Sequence, residues 1–256
     1  MPFPGRYVLP NLVTCASLSV GLLSIGEAIA GRLGSSAWFI LLCVLLDKAD
    51  GTVARLFNAS SKFGTELDSL SDVVTFGVAP AVLMLTAVLG PSAPTLPVSA
   101  TLLKTLAYAG GLAFPVGAAL RLAKFNVMTG EYGKEFFFGI PTTHSGALVA
   151  TLFLTGEKYG VPWQHRLAMP ILMLVLALLM VSRLPLPKLV KRRSLAINVV
   201  MGVNITAVYL CGLTRLFPEY LLGLATCYYL FGTGWALTQG VKAPRMQLSG
   251  DPPPPE

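Results

Sequence analysis

Asp47-Lys48-Ala49-Asp50-Gly51-Thr52-Val53-Ala54-Arg55, followed by Gly64, Asp68 and Asp72, gathers four of the five aspartates of this 256-residue chain into residues 47–72. Apolar sequence flanks the stretch on both sides, so the carboxylates sit at the edge of hydrophobic segments. Each charge inside such a segment costs at least about 2.5–3.5 kcal/mol, and four like charges repel one another. Their spacing is helical: Asp47 and Asp50 are i, i+3, and Asp68 and Asp72 are i, i+4, so each pair shares a helix face. Residues 58–62 form a polar turn between the two pairs. The helices therefore run antiparallel and the four carboxylates converge. Solvated carboxylates at helix ends are the plain alternative, and they leave the spacing unexplained.

Clustered carboxylates ionise together only when a cation neutralises them. Oxygen-only donors suit hard ions such as Mg, Mn or Ca. Four of them could hold two ions, an arrangement used for displacement at phosphorus. Gly51 is i+4 from Asp47, Ala54 is i+4 from Asp50 and Gly64 is i−4 from Asp68. Small residues there leave room for a ligand, although helix packing also favours them. Arg55 can clamp a phosphate or simply anchor the helix end.

The rest of the chain sets the class. Hydrophobic residues make up 54% and charged residues 12%, about half the charge of an ordinary soluble domain, and the mean hydropathy is +0.68. A disordered chain is excluded. Nucleic-acid binding is not expected despite a net charge of +7, because the basic residues fall between apolar runs. Cys15, Cys43, Cys211 and Cys227 are far apart in apolar stretches, which is neither a zinc pattern nor a disulfide framework.

An all-α, polytopic transmembrane bundle of about eight spans is expected. At about 20 apolar residues per span, the candidates are 9–30, 36–57, 63–90, 98–120, 140–156, 167–186, 195–213 and 219–240. Residues 1–241 form the membrane domain, and 242–256, ending in four prolines and Glu256, form a disordered tail. The fifth span is the weakest, being short and opening at a proline. Ala28-Ile29-Ala30 resembles a signal-cleavage site, but the preceding region has one Arg and the span is long, so retention is expected. The sequons at Asn58 and Asn204 are read as chance.

Placing both termini in the cytoplasm puts most of the nineteen Lys and Arg there, including Lys62, Arg121, Lys124, Arg183, Lys188, Lys191, Arg192 and Arg193. Arg32, Lys104, Lys158, Arg166 and Arg215 then lie outside. The positive-inside rule favours this orientation, and six spans would satisfy it equally.

The eight positions Asp47, Asp50, Gly51, Ala54, Arg55, Gly64, Asp68 and Asp72, at their spacing, resemble the complete motif of the CDP-alcohol phosphotransferase family. Pro10-Asn11-Leu12-Val13-Thr14 resembles that family's first-helix entry. Leu67-Asp68-Ser69-Leu70-Ser71-Asp72, Leu120-Arg121-Leu122-Ala123-Lys124-Phe125-Asn126 and Phe138-Gly139-Ile140-Pro141 resemble its serine-using branch. The glycerophosphate branch has proline where this chain has Ser69. The likeness covers about residues 8–150. Two departures stand out: Lys124 replaces an Arg, and Thr142-Thr143-His144-Ser145 replaces a Ser-Pro-Ala-Ala type of run.

The resemblance implies a membrane enzyme of the CDP-alcohol phosphotransferase fold, located in the cell inner membrane with a cytoplasmic active site. It implies transfer of a phosphatidyl group from CDP-diacylglycerol to L-serine with Mg²⁺ or Mn²⁺, two ions being expected. By the same resemblance Asp47, Asp50 and Asp68 hold the first ion, and Asp47, Asp68 and Asp72 hold or border the second. Asp72 is the general base. Asn11, Thr14, Gly51, Arg55, Ser61 and Gly64 bind the CDP-lipid. Arg121, Lys124, Asn126 and His144 are the acceptor candidates, with a capped, hydrogen-bonded helix start as the plain alternative for His144. Glycerol 3-phosphate, inositol phosphate or an archaeal CDP-lipid remain as other substrates, and a homodimer is left open. A cation transporter is the rival class. Against it, the aspartates lie toward one end of two unbroken helices, whereas transport sites favour broken helices near the midplane.

Overall fold

The computed structural model describes residues 8–56, 61–91, 99–128, 136–160, 162–188 and 195–241. The side chains of residues 50, 53–56, 162–166, 196 and 197 fall outside that description. The helices are α1 (Val8–Ile29), α2 (Leu33–Leu56), α3 (Lys62–Asp72), α4 (Ala79–Leu89), α5 (Ala100–Met128), α6 (Thr142–Lys158), α7 (Pro162–Val181), α8 (Leu195–Thr214) and α9 (Pro218–Thr238). A π-helical segment, Val73–Val78, joins α3 to α4, so 62–89 is one rod and the described residues form eight rods in all. The expected tail at 242–256, the sequon at Asn58 and the basic residues Lys191, Arg192 and Arg193 lie outside the described residues.

Each expected apolar run has its helix, and two of the runs end elsewhere than expected. The fourth run continues to Met128, which places Arg121, Lys124 and Asn126 on α5 rather than beyond it. The sixth ends at Val181. The residues after it form strand β2 (Pro185–Pro187), which pairs antiparallel with β1 (Phe136–Phe138) in the register Phe136↔Pro187, Phe137↔Leu186 and Phe138↔Pro185. The chain is therefore mostly helical with one small ribbon, where only helices were expected. The third rod is not unbroken as expected, because one turn of it is π, a feature found mainly inside longer helices and often at functional sites.

Among the described residues, three helices are long and apolar enough to cross a membrane: Val8–Ile29, Lys62–Leu89 and Ala100–Val127. Leu167–Val181 and Asn198–Thr214 are shorter apolar helices. Exposed apolar side chains run along α5 (Leu112, Val116, Leu120) and α8 (Val199, Val200, Val203, Leu210, Leu213). A protein stable in water rarely leaves such continuous apolar faces open; in a bilayer they face acyl chains.

The centre of the bundle is the π turn. Thr75, Phe76 and Gly77 are fully or nearly fully buried, and small residues bring three helices onto them. A β-carbon at Gly21 of α1 would lie only 3.2 Å from the Cα of Thr75 and closer still to its methyl group. One at Gly146 of α6 would lie 3.1 Å from the Cα of Phe76, and one at Gly77 itself 3.3 Å from the Cα of Pro115 on α5. Helices that lack a hydrophobic driving force between them associate through such close backbone approach. Around this point pack Phe114, Phe153, Ile40, Leu83, Met84 and Met173, all with no exposed surface. Ser24 Oγ donates to the Ser36 carbonyl at 2.9 Å, tying α1 to α2. The start of α1, the end of α2, the start of α3, the end of α5 and the start of α6 meet at one end of the bundle. That end carries the site.

Candidate metal centre and acceptor pocket

The oxygens of Asp47, Asp68 and Asp72 come within 4.8 Å of one another. Asp47 reaches the point from α2, and Asp68 and Asp72 from two successive turns of α3. The i, i+4 spacing survives because α3 stays a regular helix up to Asp72 and the π turn begins only at Val73. Asp72 is 8% exposed. Three carboxylates this close repel strongly unless a cation lies between them. Their all-oxygen donor set fits a hard divalent ion and not a thiophilic one. The side chains of Asp50, Ala54 and Arg55 lie outside the described residues, and all three positions are on α2.

Residues expected on the CDP-lipid gather beside the cluster. Ser61 is the N-cap of α3, its backbone extended at φ −139°, and its Oγ accepts from the Gly64 amide at 3.0 Å. A β-carbon at Gly64 would lie 3.1 Å from that oxygen and 3.2 Å from Asn11 Oδ1. Asn11, Ser61 and Gly64 thus meet where α1 crosses the start of α3. Thr14, one turn further along α1, is buried and donates to the Pro10 carbonyl at 3.2 Å. Gly51 is exposed, and a β-carbon there would meet open space.

The acceptor candidates separate. The buried Arg121 donates through Nη1 to Thr142 Oγ1 at 3.5 Å, and its guanidinium lies over the Phe125 ring. Asn126 donates to Ser69 Oγ at 3.0 Å, linking α5 to the face of α3 that follows Asp68. Lys124 turns away, its Nζ 3.4 Å from the Val181 carbonyl at the end of α7. His144 turns toward α9, where its Nε2 lies 3.0 Å from the Ala225 carbonyl and its ring meets Tyr228 edge-on.

One residue given no role in the sequence reading reaches the cluster. Thr142 Oγ1 donates to Asp72 Oδ2 at 3.4 Å. Its signal was present in the run after Pro141, where a hydroxyl opens a helix.

Over residues 7–203 the chain matches the model of the CDP-alcohol phosphatidyltransferase family. The chain belongs to that family, and the carboxylate cluster lies within the matched residues. Its relatives include a CDP-diacylglycerol–serine O-phosphatidyltransferase of Helicobacter pylori strain J99, 36% identical over 62% of each chain. One of the same name from Mycobacterium leprae is 33% identical over 71% of this chain and 59% of its own length. An archaetidylserine synthase of Methanothermobacter thermautotrophicus is 32% identical over 70% of each chain. The chain spans about three fifths of the length of the first of these relatives. Family membership sets aside the cation-transporter alternative.

Proposed function

We propose that this chain transfers the phosphatidyl group of CDP-diacylglycerol to the hydroxyl of L-serine, giving phosphatidylserine and CMP, as a multi-pass protein of the cell inner membrane. The convergence of Asp47, Asp68 and Asp72, at the spacing of the family motif, carries this reading. Serine is supported by two kinds of relative whose names both specify a serine product or acceptor, and by Ser69 at the position where the glycerophosphate branch has proline.

The residues divide the work. Asp47, Asp50 and Asp68 would hold one divalent ion, and Asp47, Asp68 and Asp72 a second. Bound there, Mg²⁺ or Mn²⁺ neutralises charge on the donor's pyrophosphate. Asn11, Thr14, Ser61 and Gly64, with Gly51 and Arg55 on α2, frame the cytidine diphosphate. Arg121 faces the serine carboxylate, and Asn126 shapes the same pocket. Asp72 takes the proton from the serine hydroxyl as that oxygen attacks the lipid-linked phosphorus. The bond from that phosphorus to the bridging oxygen breaks, and CMP leaves with the electron pair. The acyl chains stay in the bilayer.

The deciding assay supplies CDP-diacylglycerol and Mn²⁺ with L-serine, glycerol 3-phosphate or inositol phosphate in parallel, and measures CMP release. A further arm offers the archaeal CDP-lipid, which the archaetidylserine synthase relative makes the second reading. Serine-dependent release from CDP-diacylglycerol that stops in excess EDTA and returns with Mg²⁺ or Mn²⁺ is expected. Undiminished turnover in EDTA would sink the metal reading; release that ignores serine would sink the acceptor.

The excess of basic residues assigned to the site end supports a cytoplasmic position for it and for both termini. In a background lacking the four native cysteines, Lys62→Cys and Arg192→Cys should resist an impermeant thiol reagent added outside intact cells. Ready labelling would invert the topology.

A further inference from the structure

The first turn of α6 carries a device that the carboxylate motif does not contain. Thr142 is 1% exposed. Its hydroxyl has one proton and two lone pairs. Facing a carboxylate that only accepts and a guanidinium that only donates, it gives its proton to Asp72 and accepts from Arg121. One hydroxyl at the start of α6 thus links a carboxylate of α3 to a guanidinium of α5.

The turn that presents Thr142 is held from three sides. Before it, the β1–β2 ribbon fixes residues 136–138. Gly139 then adopts φ +78°, and a β-carbon there would clash with the Met180 carbonyl. Its amide donates to the Leu184 carbonyl at 2.9 Å, and the next amide, of Ile140, to the Leu179 carbonyl at 3.2 Å. After it, His144 is bonded to the Ala225 carbonyl of α9. At the far end of α6, Lys158 pairs with Glu219 at 2.6 Å. The Thr142 hydroxyl is held in place, and the Asp72 carboxylate comes to it.

We infer that Thr142 is a positioning residue that sets the orientation of Asp72 and couples it to the guanidinium of Arg121. The inference rests on reading the cluster as the metal centre of a serine transferase. Because Arg121 faces the acceptor, Thr142 should matter to serine use as well as to metal affinity.

The test uses the full chain in lipid nanodiscs with Thr142→Val, Thr142→Ser and Thr151→Val. Thr151 is an equally buried threonine of α6 whose hydroxyl returns to the Ala147 carbonyl of its own helix at 2.7 Å. Mn²⁺ binding is read by electron paramagnetic resonance without turnover, and CMP release is read against serine concentration. Losing a hydrogen bond to a charged group should weaken Mn²⁺ binding about tenfold in Thr142→Val. That variant should also raise the serine KM, and Thr142→Ser should stay near wild type. Thr142→Val with unchanged Mn²⁺ affinity, Thr142→Ser as impaired as Thr142→Val, or Thr151→Val matching the loss would each overturn the inference. Wild-type protein that binds Mn²⁺ but releases no CMP would overturn the function proposed above while leaving the Mn²⁺ comparison decisive. Wild-type protein that binds no Mn²⁺ would overturn the metal reading and the inference with it.

Discussion

Asp68→Asn and Asp47→Asn should each abolish transfer and donor binding together. Both residues contribute oxygens to the point where the three carboxylates converge, and both are assigned to both ions. An amide keeps the shape but removes the charge, and its nitrogen cannot ligate a hard cation. Even partners one step removed from a metal cost about 10–100-fold when lost, so loss of a shared ligand should cost at least about 100-fold in CMP release. Mn²⁺ binding and CDP-lipid binding, measured side by side, should fall in step with activity. A variant that keeps its Mn²⁺ affinity while losing turnover would remove that aspartate from the ligand set. The fold should tolerate either change, because relieving one of three mutually repelling carboxylates costs the bundle little.

Asp72→Asn should separate from that pattern. Asp72 is 8% exposed, the most buried of the three, and it is the carboxylate reached by Thr142 and, through it, linked to Arg121. It therefore faces the acceptor side. Losing a general base costs about 10²–10⁴-fold in rate, while the donor contacts around Asn11, Ser61 and Gly64 remain. Transfer to serine should fall by that factor with much of the CDP-lipid affinity kept. Equal loss of donor binding in Asp68→Asn and Asp72→Asn would make Asp72 a ligand first. Turnover near the wild-type rate would end its assignment as base.

The two substitutions differ because of the geometry around α3. Asp68 and Asp72 are equivalent by spacing, each one turn from the other on a single face. What distinguishes them is that α6 starts beside Asp72, and that α5 runs on to Met128 and brings Arg121 to the same place. Asn126 of that extension then holds Ser69, so the branch-specific residue and the acceptor candidates share one wall. His144 and Lys124 are as close in sequence to this wall as the residues that form it, yet one faces α9 and the other the end of α7.

The sequence alone carried the class of protein, the helical rods and the convergence of Asp47, Asp68 and Asp72. These depend on local rules: apolar length sets a span, i, i+4 spacing sets a face, and a short polar turn sets antiparallel neighbours. The π turn after Asp72, the ribbon between residues 136–138 and 185–187, and the pairing of Thr142 with Asp72 and Arg121 had no such local signal. At the π turn, Gly21, Gly77 and Gly146 let three other helices close on one point. The ribbon joins strands almost fifty residues apart. Where a hydroxyl points depends on which helix ends beside which, and that was decided only when α5 and α6 packed against α3.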